Sequence, residues 1–226
     1  MTADLNPQSV LDADAADPVP KLIRAGLDAL GLSLGARQLD QVLQHLALLH
    51  KWNRVHNLTA IHSPEEAARL HALDCLAALT VWVSRETPPA QVLDVGSGAG
   101  FPAVLMAILW PDTQVLAIDA VAKKAAFVQQ VAVQLGLPNL KARHVRAQDL
   151  SGQYDIITCR AFAALSDVVG WTEHLLRPGG AWVCLKGKPP TDEIAQLPST
   201  VSVLAIDPVE VPGLDAERCL VWMKAS

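Results

Sequence analysis

Asp94-Val95-Gly96-Ser97-Gly98-Ala99-Gly100-Phe101-Pro102 is the stretch whose residue types could hold a ligand. An apolar run, Val92-Leu93, ends in an acid, and three glycines at alternate positions lead into the apolar segment Ala103 to Trp110. Glycines at a strand-to-helix turn tolerate positive φ and let the backbone approach a ligand, and the following helix offers unpaired N–H groups. The spacing discriminates between ligands. A dinucleotide fingerprint, G-x-G-x-x-G, requires glycine at 101, where this chain has Phe101. Taken alone, three spaced glycines also fit an ordinary tight turn in an α/β protein.

Other candidates follow in chain order. Asp119 stands at the end of the next apolar run, where an acid can accept hydrogen bonds from a ribose hydroxyl pair or cap the segment beginning at Val121. Arg146-Ala147-Gln148-Asp149 follows the third run, a place where related folds read an adenine ring. Thr158-Cys159-Arg160-Ala161-Phe162 ends the fourth. It lacks the Asn/Asp-Pro-Pro-aromatic loop that draws out an exocyclic amine lone pair, and no proline flanks Cys159, which reads more readily as a buried thiol than as a nucleophile. An acceptor with a ready lone pair, such as a ring nitrogen, remains. Guanine N7 is unprotonated at neutral pH and asks for alignment rather than a base.

Asn57 lies in a turn, and His71 with Asp74 shares a helical face, where the histidine could equally be a core residue satisfied by that acid. Lys186-Gly187-Lys188 closes the fifth strand beside the expected cleft. Lys141, Arg143, His144, Arg146 and the pair Lys123-Lys124 fit either a solvated face or phosphate contacts.

These residues need elements to position them. Strands are expected at 91–95, 114–118, 140–145, 154–159 and 181–186, with helices at 102–110, 121–135 and 165–176. Two more β-rich segments fall near 201–206 and 218–224. The alternation implies a parallel α/β sheet with ligands at the carboxyl ends of its strands. Ahead of it, residues 20–86 read as a small helical cap, with helices from Lys21 to Leu30, from Ala36 to Asn53, and from the Ser63-Pro64-Glu65-Glu66 capping box to Val83. Residues 87–226 form the alternating unit, continuous with the cap. Residues 1–19 read as a disordered acidic tail, and Arg177-Pro178-Gly179-Gly180 as a turn into the fifth strand.

Composition bounds the class. The chain has 226 residues, 51% hydrophobic, with mean hydropathy +0.26, enough for a large core. No apolar run reaches the roughly 18 residues of a membrane span, and no signal pattern opens the chain, so the expectation is cytoplasmic, with no membrane partner. Cys75, Cys159, Cys184 and Cys219 are far apart without a C-x-x-C pair, which disfavours zinc or any metal. Net charge is −5, yet the first twenty residues hold four aspartates, and the remainder carries 19 acids against 18 bases. A nucleic-acid surface would therefore be local.

The D-x-G-x-G-x-G turn resembles motif I of the S-adenosylmethionine-dependent methyltransferases. More specific segments accompany it: Lys51-Trp52-Asn53 with Asn57-Leu58-Thr59, Arg69-Leu70-His71-Ala72-Leu73-Asp74, Cys159-Arg160-Ala161-Phe162-Ala163 and Leu185-Lys186-Gly187. From about residue 21 onward the chain resembles the bacterial 16S ribosomal RNA (guanine-N7) methyltransferase family, RsmG/GidB.

That resemblance implies a class I, Rossmann-like methyltransferase fold with an N-terminal helical cap. It implies S-adenosylmethionine as cofactor, bound through Asp94, Gly96, Gly98, Gly100, Phe101, Asp119, Ala147, Gln148 and Arg160. It implies catalytic roles for Asn57, His71, Arg160 and Lys186, and 16S rRNA, within the 30S subunit or an assembly intermediate, as partner. The chain departs from the family at Ala120 (usually serine), Gln148 (usually glutamate) and Ala103 (usually glycine). A protein or small-molecule methyltransferase, a non-catalytic cofactor-sensing RNA-binding module and a nicotinamide oxidoreductase are the alternatives.

Overall fold

The computed structural model describes residues 18–160 and 163–226. Among the described residues, seven strands form one sheet in the order β3-β2-β1-β4-β5-β7-β6. They are β1 (Gln91–Val95), β2 (Gln114–Asp119), β3 (Leu140–His144), β4 (Tyr154–Arg160), β5 (Leu176–Lys186), β6 (Val201–Pro208) and β7 (Cys219–Ala225). The first five pair in parallel, and β7 runs antiparallel between β5 and β6. Because β1 pairs with both β2 and β4, the order reverses there, creating a crevice at the carboxyl ends of the strands.

The cap comprises α1 (Pro18–Ala29), α2 (Ala36–His56), α3 (Pro64–Ala67), a π-helical turn (Ala68–Leu73) and α4 (Asp74–Arg85). Around the sheet lie α5 (Ala103–Leu109), α6 (Ala122–Gln134), α7 (Leu165–Thr172) and the short α8 (Thr191–Ile194), with 3-10 turns at Ala147–Asp149 and Glu173–Leu175. One apolar cluster runs unbroken from Ile23 and Leu49 through Leu76 to Val92, Met106 and Trp222, so the cap and one sheet face share a core. A second fills the other face around Leu93, Ile157, Leu165 and Trp182.

Several boundaries differ from the sequence reading. The first helix begins at Pro18 with Val19 buried, inside the stretch read as tail; residues 1–17 of that stretch lie outside the described residues. The second helix continues to His56, where Asn57 closes it in the left-handed conformation, φ 46°. Arg177–Gly180 is not a simple turn: β5 already pairs at Leu176, and the segment bulges, with Gly179 at φ 84°, before pairing resumes at Ala181. At Ser63 the hydroxyl accepts from the Glu66 N–H (3.2 Å) and donates to the Glu65 carboxylate (2.7 Å), in place of the reciprocal arm of a capping box.

Candidate active site

The glycine turn is tied to the sheet from below. The N–H groups of Gly96 and Ser97 both donate to the Ile118 carbonyl of β2, at 2.9 and 3.1 Å. Gly96, Gly98 and Gly100 sit at φ 70°, 56° and 88°, a conformation that L side chains rarely adopt. Asp119 organises the rim. One carboxylate oxygen accepts from Gly98 N (3.0 Å) and the other from Val121 N (2.8 Å). The residue therefore caps its own turn, and each oxygen keeps a lone pair for a ligand hydroxyl.

A cleft of about 170 Å³ opens beside this turn. It brings together Gly96, Asp119, Ala147 and Gln148 of the sequence-predicted residues, walled by Val95, Ile118, Ala120, Val145, Arg146 and Trp171. Five of the predicted cofactor residues, Arg160 among them, stand outside its lining. Asp94 lies fully buried beneath the turn, close to the Ser97 hydroxyl and the Ala103 N–H but without a well-aligned hydrogen bond to either carboxylate oxygen among the described residues. Burial pushes its carboxyl up to about 7, against the opposing pull of Ser97, the Ala103 N–H and Arg160. Gly98 and Gly100 shape the turn from behind, and Phe101 is buried against the cap.

Arg160 belongs to a second cavity, of about 250 Å³, over the ends of β4, β5 and β7, where it joins Lys186, Leu70, Asp74, Gly187 and Arg218. Its guanidinium donates to the Leu70 carbonyl (3.0 Å), to Asp74 (3.3 Å) and to His71 Nδ1 (2.9 Å). His71 Nε2 in turn meets Thr59 Oγ1 at 3.0 Å. With Nδ1 accepting from Arg160, the ring is the neutral Nε2–H tautomer. Burial first, then the Arg160 charge, lowers its pKa to about 3. The expected pairing of His71 with Asp74 is absent. The π-helical turn carrying His71 ends where Asp74 begins, so the two leave the ordinary helical face spacing, and Asp74 instead binds Arg160 and Arg218 (2.6 Å to Arg218 Nε).

Lys186 is 9% exposed and donates to the Ala163 carbonyl and to Glu193, both at 2.7 Å. Glu193 also accepts from the Leu165 N–H at 2.8 Å, fastening the segment after β4. Asn57 lines neither cavity and is exposed at the end of α2. Cys159 is fully buried beside Cys184, and a hydrogen bond between the two and burial together hold its thiol well above the usual range, so it is no nucleophile. On β3, Lys141, Arg143 and His144 are exposed along the sheet edge, with Arg146 just beyond.

A family model described as rRNA small subunit methyltransferase G, GidB, matches residues 38–221. The chain belongs to that family. Among curated relatives of this GidB chain, Ribosomal RNA small subunit methyltransferase G of Acidovorax sp. (strain JS42) is 48% identical over 211 residues, 89% of this chain and 93% of the relative. The protein of the same name from Paracidovorax citrulli (strain AAC00-1) is 46% identical over 222 residues, 93% and 91% of the two chains. A SAM-dependent methyltransferase from Aquifex aeolicus superposes with TM-score 0.54 at 15% identity, covering 71% of this chain and 93% of the other. The ribosomal protein L11 methylase from Lactobacillus delbrueckii subsp. bulgaricus gives 0.53 at 18%, covering 67% and 77%. The sheet is that of the class I methyltransferases, and this GidB chain is an enzyme of that kind.

The sequence reading missed four residues that shape this candidate site. Asn53 pins the loop after α2, accepting from Thr59 N (2.9 Å) and donating to the Ile61 carbonyl (3.0 Å). It lies in a segment singled out for its specificity, so a signal was present. Arg218 and His45 carried none, because each acts on a residue far away in sequence, and Glu193, seven residues after Lys186, lies in none of the motifs.

Proposed function

We propose that this GidB methyltransferase transfers the methyl group of S-adenosylmethionine to N7 of a guanine in 16S rRNA, with the 30S subunit or an assembly intermediate as substrate. The residues of the cleft fit the cofactor. Asp119 keeps acceptor capacity for a ribose diol, Val145, Ile118 and Trp171 offer apolar surface to a purine, and Ala147-Gln148 supplies backbone and amide groups at its edge. Bound there, the cofactor supplies a methyl carbon made electrophilic by its sulfonium.

The observation that carries the choice of acceptor is the lack of a free base facing the second cavity, among the described residues, Asp94 being sealed beneath the glycine turn. The His71 lone pair is taken by Arg160, the Asp74 carboxylate by two guanidiniums, and Cys159 is protonated. Such a site suits an acceptor whose lone pair is already available, and guanine N7 is one. Arg160 and Arg218 hold cationic, planar donors there, suited to the base edge or a phosphate. The exposed bases of β3 suit flanking phosphates.

The test is transfer of labelled methyl to 30S particles lacking the modification, followed by nucleoside digestion. The expected label is 7-methylguanosine, lost with Arg160→Ala or Lys186→Ala. Label in another nucleoside, or in ribosomal protein, would overturn the proposal.

A further inference from the structure

We propose that His45, on cap helix α2, is a positioning residue of the cofactor site that holds the glycine turn from the side opposite the sheet. This rests on the reading of that turn as the S-adenosylmethionine site.

The turn strings three left-handed glycines together, and glycine loses more freedom on ordering than any other residue. It therefore depends on tethers. Those from the sheet side are the Ile118 carbonyl and the Asp119 carboxylate, acting on residues 96–98. The next residue, Ala99, turns its carbonyl to the cap, where His45 Nε2 donates to it at 2.8 Å. The same ring stacks on Phe101 with centroids 4.4 Å apart. Phe101 lies in turn against His71, at 5.2 Å, and His71 is the acceptor of Arg160. His45 thus grips the turn at 99 and 101, on both sides of Gly100. A Cβ on Gly100 would stand 3.5 Å from His45 Nε2 and 2.6 Å from Val104.

A filler of this space would be apolar. His45 is fully buried, and its second ring nitrogen, Nδ1, has no partner among the described residues. Leucine or phenylalanine would avoid that orphan and the desolvation that keeps the ring neutral. The polar contact it retains is the one to the turn.

The experiment uses the full chain, with calorimetric binding of S-adenosylhomocysteine and steady-state methylation of 30S particles. His45→Phe keeps a ring against Phe101 and removes the N–H. His45→Gln returns an amide N–H without the ring. Loss of the tether lowers the fraction of molecules with a formed turn, which raises the apparent Kd by the same factor. The expected result for His45→Phe is a Kd and a cofactor KM about tenfold higher, from the loss of one buried hydrogen bond. The kcat at saturating cofactor stays within about twofold, because the chemistry step is unaltered once the turn is filled. His45→Gln recovers most of the affinity. Cofactor affinity unchanged in both variants, whatever their melting temperatures, would reduce His45 to core packing and overturn the proposal. So would a fall in kcat with KM constant. Failure of the wild-type protein to bind the cofactor would instead strike the functional reading itself.

Discussion

Asp74→Asn is the sharpest perturbation of the second cavity. The native carboxylate, 8% exposed in its side chain, serves Arg160 and Arg218, whose side chains are 20% and 27% exposed. Removing one partner of a buried ion pair costs about 3–5 kcal/mol, because the opposite charge stays buried. Here two cations lose their counter-ion, yet each keeps other acceptors: Arg160 the Leu70 carbonyl and His71, Arg218 the Glu217 carbonyl at 2.8 Å. The low end, about 3 kcal/mol, is therefore expected. For a chain of this length that corresponds to a melting temperature lower by roughly 6–12 °C. Asp207→Asn is the control. It breaks the Arg85–Asp207 pair, whose arginine side chain is 41% exposed, and should cost far less, because solvent screens that pair. Urea unfolding of both variants, with Arg218→Met alone and combined with Asp74→Asn, closes a double-mutant cycle. A coupling of about 1–3 kcal/mol between Asp74 and Arg218 is expected. If Asp74→Asn costs no more than Asp207→Asn, solvent already screens the cavity, and the account of a desolvated cation pair there is wrong.

Two further predictions follow from the titrating groups. The folded protein holds His45 at about 4 and His71 at about 3, below the ordinary 6.5, so as pH falls below 6.5 the unfolded chain takes up these protons first and stability is lost. Asp94, raised from 3.8 to about 7, acts oppositely, since the folded state binds its proton first as pH falls through 7. Two histidines against one carboxyl leave a net of one proton between pH 4 and 6.5. Urea-unfolding stability should therefore rise with pH there by about 1.4 kcal/mol per unit, with Asp94→Asn steepening the slope; a slope of opposite sign would refute the assignment. Cys159→Ala should retain kcat within about twofold, since a buried protonated thiol forms no covalent intermediate, and loss of activity with the fold intact would reinstate Cys159 as a nucleophile.

What was legible in the sequence was what local pattern encodes. The apolar runs of β1, β2 and β4 and the glycines between β1 and α5 announce the switch point directly, because a parallel strand buried on both faces can hardly be anything else. Asp119, Ala147 and Gln148 followed from their places at strand ends. The insertion of β7 between β5 and β6 left no local trace, since pairing order is a long-range choice. The π-helical turn is equally silent in the residue pattern, and it redirected His71 from Asp74 to Arg160. The contacts Arg218–Asp74 and His45–Ala99 join residues 144 and 54 positions apart, beyond any periodicity argument. Conversely, the exposed acceptor of Asn57 shows that a residue can be correctly read as a turn former while its side chain stands away from both cavities.

The placement of these long-range contacts has a common logic. The cleft occupies the ends of β1, β2 and the chain beyond β3, and the cavity occupies the ends of β4, β5 and β7, so the dividing line runs between β1 and β4. Neighbouring strands are about 4.8 Å apart, and any group passing from one compartment to the other crosses there. Phe101, His71 and Arg160 stand on that line in mutual contact, with the Arg160 guanidinium 5.8 Å from the Phe101 ring. Arg160 ends β4, Phe101 lies in the turn after β1, and His71 belongs to the cap. A sheet alone could present the turn and the arginine, but it could not fix the distance between them, because Phe101 sits on a turn that has left its strand and Arg160 is the last residue of β4. The cap supplies that constraint through packed rings and a histidine lone pair, which makes it part of the site's geometry as well as of its core.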